Sequence, residues 1–86
     1  MNVILHRSFE KNYRKLRESE KQRFKQRRNV FLKNPFDPIL NNHALKGKYE
    51  GFRSINIGGD LRVVYKTLDE QTAIFVDIDT HSNLYR

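Results

Sequence analysis

The sequence contains no cysteine and no tryptophan, and only four glycines and two prolines among its 86 residues. The absence of cysteine excludes a disulfide framework, a thiolate metal site and a cysteine nucleophile. No apolar run is long enough to span a membrane, and the N-terminus lacks the hydrophobic stretch of a secretion signal. We therefore expect a cytoplasmic protein that does not associate with membranes.

The composition is that of a small globular domain. Hydrophobic residues make up 37% of the chain and charged residues 31%, with six phenylalanines and four tyrosines. A disordered chain would lack these aromatic residues. The length predicts one domain over residues 1–86, with a small core, because a chain of this size buries only about 60–65% of its extended surface.

The positive charge is concentrated in the first half of the chain. The formal net charge is +7, from 17 lysines and arginines and 10 acidic residues. Residues 1–48 hold 13 basic and 4 acidic residues, whereas residues 49–86 hold 4 basic and 6 acidic residues. This asymmetry indicates binding to a polyanion such as RNA, although a solvated helix face, an acidic protein partner or an anionic membrane surface would also account for it.

The first half of the sequence predicts a strand followed by two helices. Residues 2–6 are apolar and partly β-branched, as in a short strand. Ser8 is predicted to cap the first helix, and the S-x-x-Q sequence from Ser19 to Gln22 is predicted to open the second. Asn34-Pro35 should end that helix. The apolar positions at helical spacing are Phe9, Tyr13, Leu16, Phe24, Val30 and Phe31.

The second half predicts strands. Residues 34–51 form a long connection, and alternating residues 52–57 and 61–66 flank a hairpin turn at Gly58-Gly59-Asp60. Residues 72–79 form a third strand, with Ile74, Val76 and Ile78 expected on one face and Ala73, Phe75, Asp77 and Asp79 on the other. The predicted fold is α+β, in the order β-α-α-β-β-β, with a helical hairpin packed on a small, mostly antiparallel sheet.

No motif for a metal or a nucleotide cofactor is present. The three histidines are widely separated, without the spacing of a metal-binding pair, so we expect no metal site. The glycine-rich sequences of phosphate loops and dinucleotide folds and the serine hydrolase elbow are also missing. We expect no cofactor.

The remaining chemistry lies at the predicted strand ends. The groups concerned are His43, Arg53, Asp60, Arg62, His81 and Tyr85. Together they suffice for RNA cleavage, in which a base takes the proton of a ribose 2′-hydroxyl, an acid protonates the departing 5′-oxygen, and cations stabilise the phosphorane. Each residue taken alone also has a structural explanation; Asp60, for example, is a common turn residue.

Four motifs in sequence resemble the RelE/ParE toxin superfamily, and most closely its YafQ-type mRNA interferases. They are residues 43–47 (HALKG), 51–57 (GFRSINI), 60–66 (DLRVVYK) and 80–85 (THSNLY). The resemblance implies a RelE-like fold and the toxin of a type II toxin–antitoxin system. It further implies a ribosome-dependent endoribonuclease that cuts mRNA without a cofactor and is inhibited by a cognate antitoxin. The implied partners are therefore the antitoxin, the ribosome and mRNA.

The resemblance also implies roles for individual residues. His43 matches a catalytic loop histidine, Asp60 a catalytic aspartate, and His81 a histidine proposed as acid or base. Tyr85 matches an aromatic position near the C-terminus, and Arg62 an arginine that stabilises the phosphate. The expected RNA-binding residues are Arg23, Arg27, Lys46, Lys48 and Arg53.

The sequence departs from the YafQ-type pattern at two positions. Asn56 replaces a histidine and Leu61 replaces a tryptophan, and Asp77 and Asp79 would repel RNA if they faced the site. Two alternatives therefore stay open. One is a ParE-like toxin that binds DNA gyrase without catalysis, and the other is a catalytically degenerate toxin retained for antitoxin binding.

Overall fold

The computed structural model describes residues 1–85, and Arg86 lies outside the described residues. The strands and helices, numbered in chain order, are β1 Asn2–Leu5, α1 Arg7–Arg14, α2 Glu18–Lys33, β2 His43–Ala44, β3 Arg53–Gly58, β4 Leu61–Asp69, β5 Thr72–Thr80 and α3 His81–Leu84. Two short 3₁₀ turns cover Pro38–Leu40 and Gly47–Tyr49. The predicted α+β class is confirmed.

The five strands form one sheet in the order β1-β5-β4-β3-β2. Only β1 and β5 pair in parallel, and the other neighbours are antiparallel. The predicted mostly antiparallel sheet is therefore confirmed. Two elements were not predicted: the two-residue strand β2 lies in the long connection, and the single turn α3 lies in the tail.

The start of α1 differs from the prediction. The helix begins at Arg7, and its N-cap is His6, whose Nδ1 accepts a hydrogen bond from the Ser8 amide at 3.1 Å. Ser8 was predicted to be the cap, which is wrong. Its hydroxyl instead donates to the Val76 carbonyl and ties the helix to β5.

The start of α2 also differs. The helix begins at Glu18, and Glu20 Oε1 accepts from the Arg17 amide at 2.9 Å. The predicted Ser19–Gln22 capping box is wrong, because Glu20 occupies the third helical position and takes the capping role. The predicted end before Pro35 is confirmed, since the helix stops at Lys33.

The main core lies between the two long helices and one face of the sheet. Phe9 and Phe24 bring their rings within 5.2 Å, and Phe31 packs edge-on against Tyr65 at 5.0 Å. Phe75 in β5 touches all four of these rings. This aromatic cluster fixes the helices on one side of the sheet and leaves the other side, here called the second face, free of them.

The second face carries a smaller apolar cluster. Leu45, Val64 and Leu84 are buried there, and Tyr49, Phe52, Val76 and Tyr85 pack against them. In β4 the side chains alternate, so Leu61, Val63 and Tyr65 enter the main core while Arg62, Val64 and Lys66 lie on the second face. The register of β4 therefore decides which charged groups face the candidate site.

A bulge in β5 changes the predicted arrangement of that strand. Phe75 pairs with Tyr65 and Asp77 pairs with Val64, so Val76 has no partner in β4. The extra residue shifts the alternation, and both Phe75 and Ile78 enter the main core. The prediction that Val76 and Ile78 share a face opposite Ala73 and Phe75 is wrong for this reason.

Candidate functional site

Asp60 and His81 are neighbours at one corner of the sheet. Leu61 at the start of β4 pairs with Thr80 at the end of β5. The His81 amide donates a hydrogen bond to the Asp60 carbonyl at 2.9 Å. Thr80 caps α3 by accepting from the Asn83 amide, which fixes the turn that carries His81. Both the Asp60 and His81 side chains are exposed, and we call this place the Asp60–His81 corner.

Arg62 lies beside this corner on the second face. Its Nη1 donates to the carbonyls of Gly59 and Leu61, at 3.0 Å each, and to Asn56 Oδ1 at 3.1 Å. Asn56 Oδ1 also accepts from the Gly58 amide at 2.9 Å. The guanidinium is thus held against the hairpin turn, while Nε and Nη2 make no hydrogen bond within residues 1–85.

Asn56 holds Arg62 in the candidate site, a contact that sequence reasoning missed. It was treated only as the loss of a family histidine, yet its amide oxygen anchors both the turn and Arg62. A signal was available, because an asparagine two residues before a turn glycine commonly accepts that glycine's amide hydrogen.

A row of aromatic rings leads away from the corner across the second face. The rings of His81 and Tyr85 are 4.7 Å apart, those of Tyr85 and Tyr49 6.0 Å, and those of Tyr49 and Phe52 6.3 Å. We call these four residues the aromatic row. Sequence reasoning missed Tyr49 and Phe52, whose only signal was their place beside Gly51 in a basic loop.

Two lysines flank the far end of the aromatic row. Lys48 Nζ lies 5.3 Å from the centre of the Tyr49 ring, and Lys66 Nζ lies 5.7 Å from that of Phe52. Both distances are within the range of cation–π attraction. Positive charge and aromatic surface therefore occur together on this face.

The surroundings of Tyr49 disfavour ionisation of its phenol. Burial raises the pKa of the Tyr49 phenol, and the negative charges of Asp77 and Asp79 raise this pKa further, together with Tyr85. The two carboxylates are themselves hydrogen-bonded to side-chain amides, Asp77 to Asn12 at 2.6 Å and Asp79 to Asn83 at 3.0 Å. Both carboxylates lie opposite residues of the second face, Asp77 opposite Val64 and Asp79 opposite Arg62.

His43 stands apart from the Asp60–His81 corner. It pairs with Ser54 on the edge strand β2, and its Nδ1 lies 2.8 Å from the Asn41 carbonyl oxygen. Strands β3 and β4 separate β2 from β5, a distance of about 14 Å across the sheet. The structure therefore places both histidines on the second face, with β3 and β4 between the strand that carries His43 and the strand that leads into His81.

Arg53 lies on the opposite face from Arg62. It pairs with Tyr65, whose ring belongs to the main core. Its Nε donates to Asn42 Oδ1 at 2.7 Å, and its guanidinium lies 5.2 Å from the ring of Phe36. The two arginines expected to act on one phosphate are thus separated by the sheet.

The other expected RNA-binding residues divide into two groups. Arg27 Nη1 donates to the carbonyls of Ile39 and Asn56, and the Arg23 side chain packs against Gly58, where an added Cβ would lie 3.2 Å from Arg23 Cδ. These two arginines join α2 to the hairpin. Lys46 and Lys48 are exposed on the segment that carries Tyr49.

The charged side chains of the described residues form one short ion pair. Within residues 1–85, one ion pair forms within 4.0 Å, between Arg17 and Glu20 at 3.5 Å. In the same part of the chain no group of three histidine or acidic side chains is placed to hold a metal ion, and no helix is long and apolar enough to cross a membrane.

Residues 1–86 match the family model described as the bacterial toxin of type II toxin–antitoxin system, YafQ. The chain belongs to the YafQ family of type II toxin–antitoxin toxins. A search of the curated proteins gives no match for this toxin.

Solved structures show the same fold. YafQ from E. coli strain BL21(DE3) superimposes with a TM-score of 0.81 at 18% identity, over 99% of this chain and 98% of that chain. A conserved hypothetical protein from Helicobacter pylori gives 0.71 at 28% identity, over 99% of both chains. The match to the E. coli DinJ–YafQ toxin–antitoxin complex has a TM-score of 0.79 at 18% identity, over 99% of this chain and 97% of that chain.

Proposed function

We propose that this toxin is an endoribonuclease that cleaves mRNA on the ribosome by metal-independent acid–base catalysis and so inhibits translation. The observation that carries the proposal is the Asp60–His81 corner, where the hydrogen bond from the His81 amide to the Asp60 carbonyl holds the backbones of these two residues together. Arg62 adds a cation at the same place. Ribosome dependence rests on the YafQ-type resemblance.

The corner supplies the groups that RNA cleavage requires. The Asp60 carboxylate takes the proton of the ribose 2′-hydroxyl, whose oxygen then attacks the phosphorus. The bond from phosphorus to the 5′-oxygen breaks, and His81 gives that oxygen a proton. The products are a 2′,3′-cyclic phosphate and a 5′-hydroxyl, so no water, metal or protein nucleophile is consumed.

The neighbouring residues support this step. Arg62 stabilises the additional negative charge of the phosphorane, because its guanidinium is already held in place by the hairpin turn. The Tyr85 ring packs against His81 and restricts its orientation. His43, on the edge strand β2, contacts the RNA elsewhere on the second face.

A cognate antitoxin is the proposed protein partner. The DinJ–YafQ complex from E. coli and the YoeB–YefM complex from Staphylococcus aureus are toxin–antitoxin assemblies with this fold. The net charge of +7 favours an acidic antitoxin segment.

The test is induced expression with mapping of mRNA ends, comparing the natural toxin with His81→Ala. We expect the natural toxin to arrest translation and cut mRNA, and His81→Ala to lower cleavage at least about 100-fold, the usual loss on removing a general acid. His6→Asn is the matched control, because it replaces a histidine outside the site and keeps a side chain that can cap α1.

The outcomes separate the open alternatives. Unchanged cleavage by His81→Ala would overturn the role of this residue. DNA damage with continuing translation would instead indicate a toxin that acts on gyrase. Absence of growth inhibition by the natural chain expressed alone would indicate a degenerate toxin kept for antitoxin binding.

A further inference from the structure

The far end of the aromatic row has the character of a binding surface. Tyr49 and Phe52 rest on the buried Leu45, Val64 and Leu84, but both remain only partly buried. The Tyr49 hydroxyl makes no hydrogen bond within residues 1–85, and phenol groups in a purely structural role usually find a protein partner. The rings therefore present both apolar surface and an available polar group to solvent.

The charges on this surface are arranged along a line. Arg62 and Lys66 lie on the same side of β4, four residues and thus about 13 Å apart. Val64 lies between them and is buried in the small apolar cluster of the second face. A chain that follows β4 from the corner would therefore meet Arg62, which lies opposite Asp79 of β5, then aromatic rings, then Lys66.

This pattern fits single-stranded RNA better than a protein segment. Bases stack on aromatic rings while their phosphates contact flanking lysines and arginines, and such stacking does not depend on sequence. An apolar peptide would find the same rings bordered by Lys48 and Lys66, whose charges it would have to desolvate.

We propose that Tyr49 and Phe52, with Lys66, bind the nucleotides next to the cleaved bond as a single strand. The position of that bond rests on the proposed function, because His81 begins the row and Tyr85 connects it to Tyr49. Binding itself does not require cleavage, so the two proposals can be tested separately.

The experiment uses the full chain carrying His81→Ala and measures the binding of a short, fluorescently labelled single-stranded RNA by anisotropy. Tyr49→Leu and Phe52→Leu are added in turn, because leucine keeps apolar packing but removes the ring. We expect each to weaken binding about 5- to 150-fold, the range for loss of one base–aromatic stack. Phe36→Leu is the matched control, since Phe36 is exposed but lies under Arg53 on the other face, and it should leave binding unchanged.

A second variant covers the case in which a leucine variant fails to fold. Lys66→Gln changes an exposed residue of β4, and we expect weaker binding and a smaller salt dependence, by about 0.7 in the slope of log affinity against log salt. Unchanged RNA binding by Lys66→Gln and by folded Tyr49→Leu and Phe52→Leu would overturn the inference. The inference would also be overturned if the toxin bound an acidic peptide through Tyr49 and Phe52 and did not bind RNA.

These results remain distinct from the test of the proposed function. Binding that depends on Tyr49 and Phe52 in a toxin whose natural form cuts no mRNA would support the binding surface and overturn the ribonuclease. Cleavage that depends on His81 but not on the ring of Tyr49 or of Phe52 would support the ribonuclease and overturn the binding surface.

Discussion

The two arginines of the β3–β4 hairpin have different surroundings, which predicts different effects when each is changed. Arg62 lies on the second face beside the Asp60–His81 corner, whereas Arg53 bonds Asn42 and stacks on Phe36 on the side of the helices. The sheet lies between the two guanidinium groups. Only Arg62 is placed to meet a phosphate at the corner.

We therefore expect Arg62→Gln to lower RNA cleavage about 100-fold, as loss of a charge-stabilising donor does. Arg53→Gln should reduce the free energy of unfolding by about 1–2 kcal/mol through its lost hydrogen bond and ring contact, with unchanged cleavage by the folded protein. Cleavage rates and chemical denaturation of both variants check this. Equal losses of cleavage for the two folded variants would contradict the assignment.

The separation of these arginines was predictable from the sequence. Ile55 and Ile57 share the alternation of Arg53, while Leu61 and Val63 are out of phase with Arg62. Apolar residues mark the buried face, so the pattern already assigns the two arginines to opposite faces. The position of Tyr49 beside Tyr85 was not predictable, because it depends on how the loop before β3 folds back over the sheet.

At the scale of elements, the periodicity of apolar residues predicted the long helices and strands and missed the short elements. The two helices and the hairpin each repeat their apolar pattern over several residues, whereas β2 has two residues and α3 has four. The bulge at Val76 leaves no mark in the sequence, because Ala73 to Val76 is apolar throughout. Tertiary pairing with β4, and not local preference, decides where that strand changes phase.

The hydrogen bond that caps the start of α2 predicts that the stability of the fold depends on pH. The hydrogen bond from the Arg17 amide lowers the pKa of Glu20 below the usual 4.5, and nearby arginines act in the same direction. A lowered folded-state pKa means that the stabilisation is present above pH 4.5 and is lost as the pH falls through the pKa of the folded state. The natural chain should therefore lose part of its helix-capping stability in acid.

We expect Glu20→Gln to reduce the free energy of unfolding by about 0.5 kcal/mol at neutral pH, since the amide can still accept the hydrogen bond but carries no charge for the helix N-terminus. The difference from the natural chain should shrink as the pH falls below 4.5. Urea denaturation at several pH values measures it. Glu18→Gln is the control, because it removes a charge from the same turn without touching the Arg17 amide; an equal pH dependence for both variants would show that capping is not the cause.

At the scale of the whole molecule, the basic residues form two surfaces on opposite sides of the sheet. One contains Arg62 and Lys66 on the second face. The other lies on the helices, where the exposed cations are Arg7, Lys11, Arg14, Lys25 and Lys33. The molecule measures 31 × 28 × 25 Å, so the two surfaces are separated by more than the screening length of about 8 Å at physiological salt. If the proposed function is correct, the helices would contact ribosomal RNA while the second face contacts mRNA.

This division predicts that charge reversal on the helices affects the ribosome and not a short RNA. Lys25→Glu with Lys33→Glu should weaken co-sedimentation with ribosomes at least about tenfold and make it less dependent on salt, because two contacts with phosphates are lost. Binding of a short single-stranded RNA should change little, since that RNA occupies the second face. Lys25→Arg with Lys33→Arg keeps both charges and should behave like the natural toxin. If the glutamate variant still binds ribosomes fully at low salt, the helical surface is not the ribosome contact. An acidic antitoxin would then be the partner that its positive charge favours.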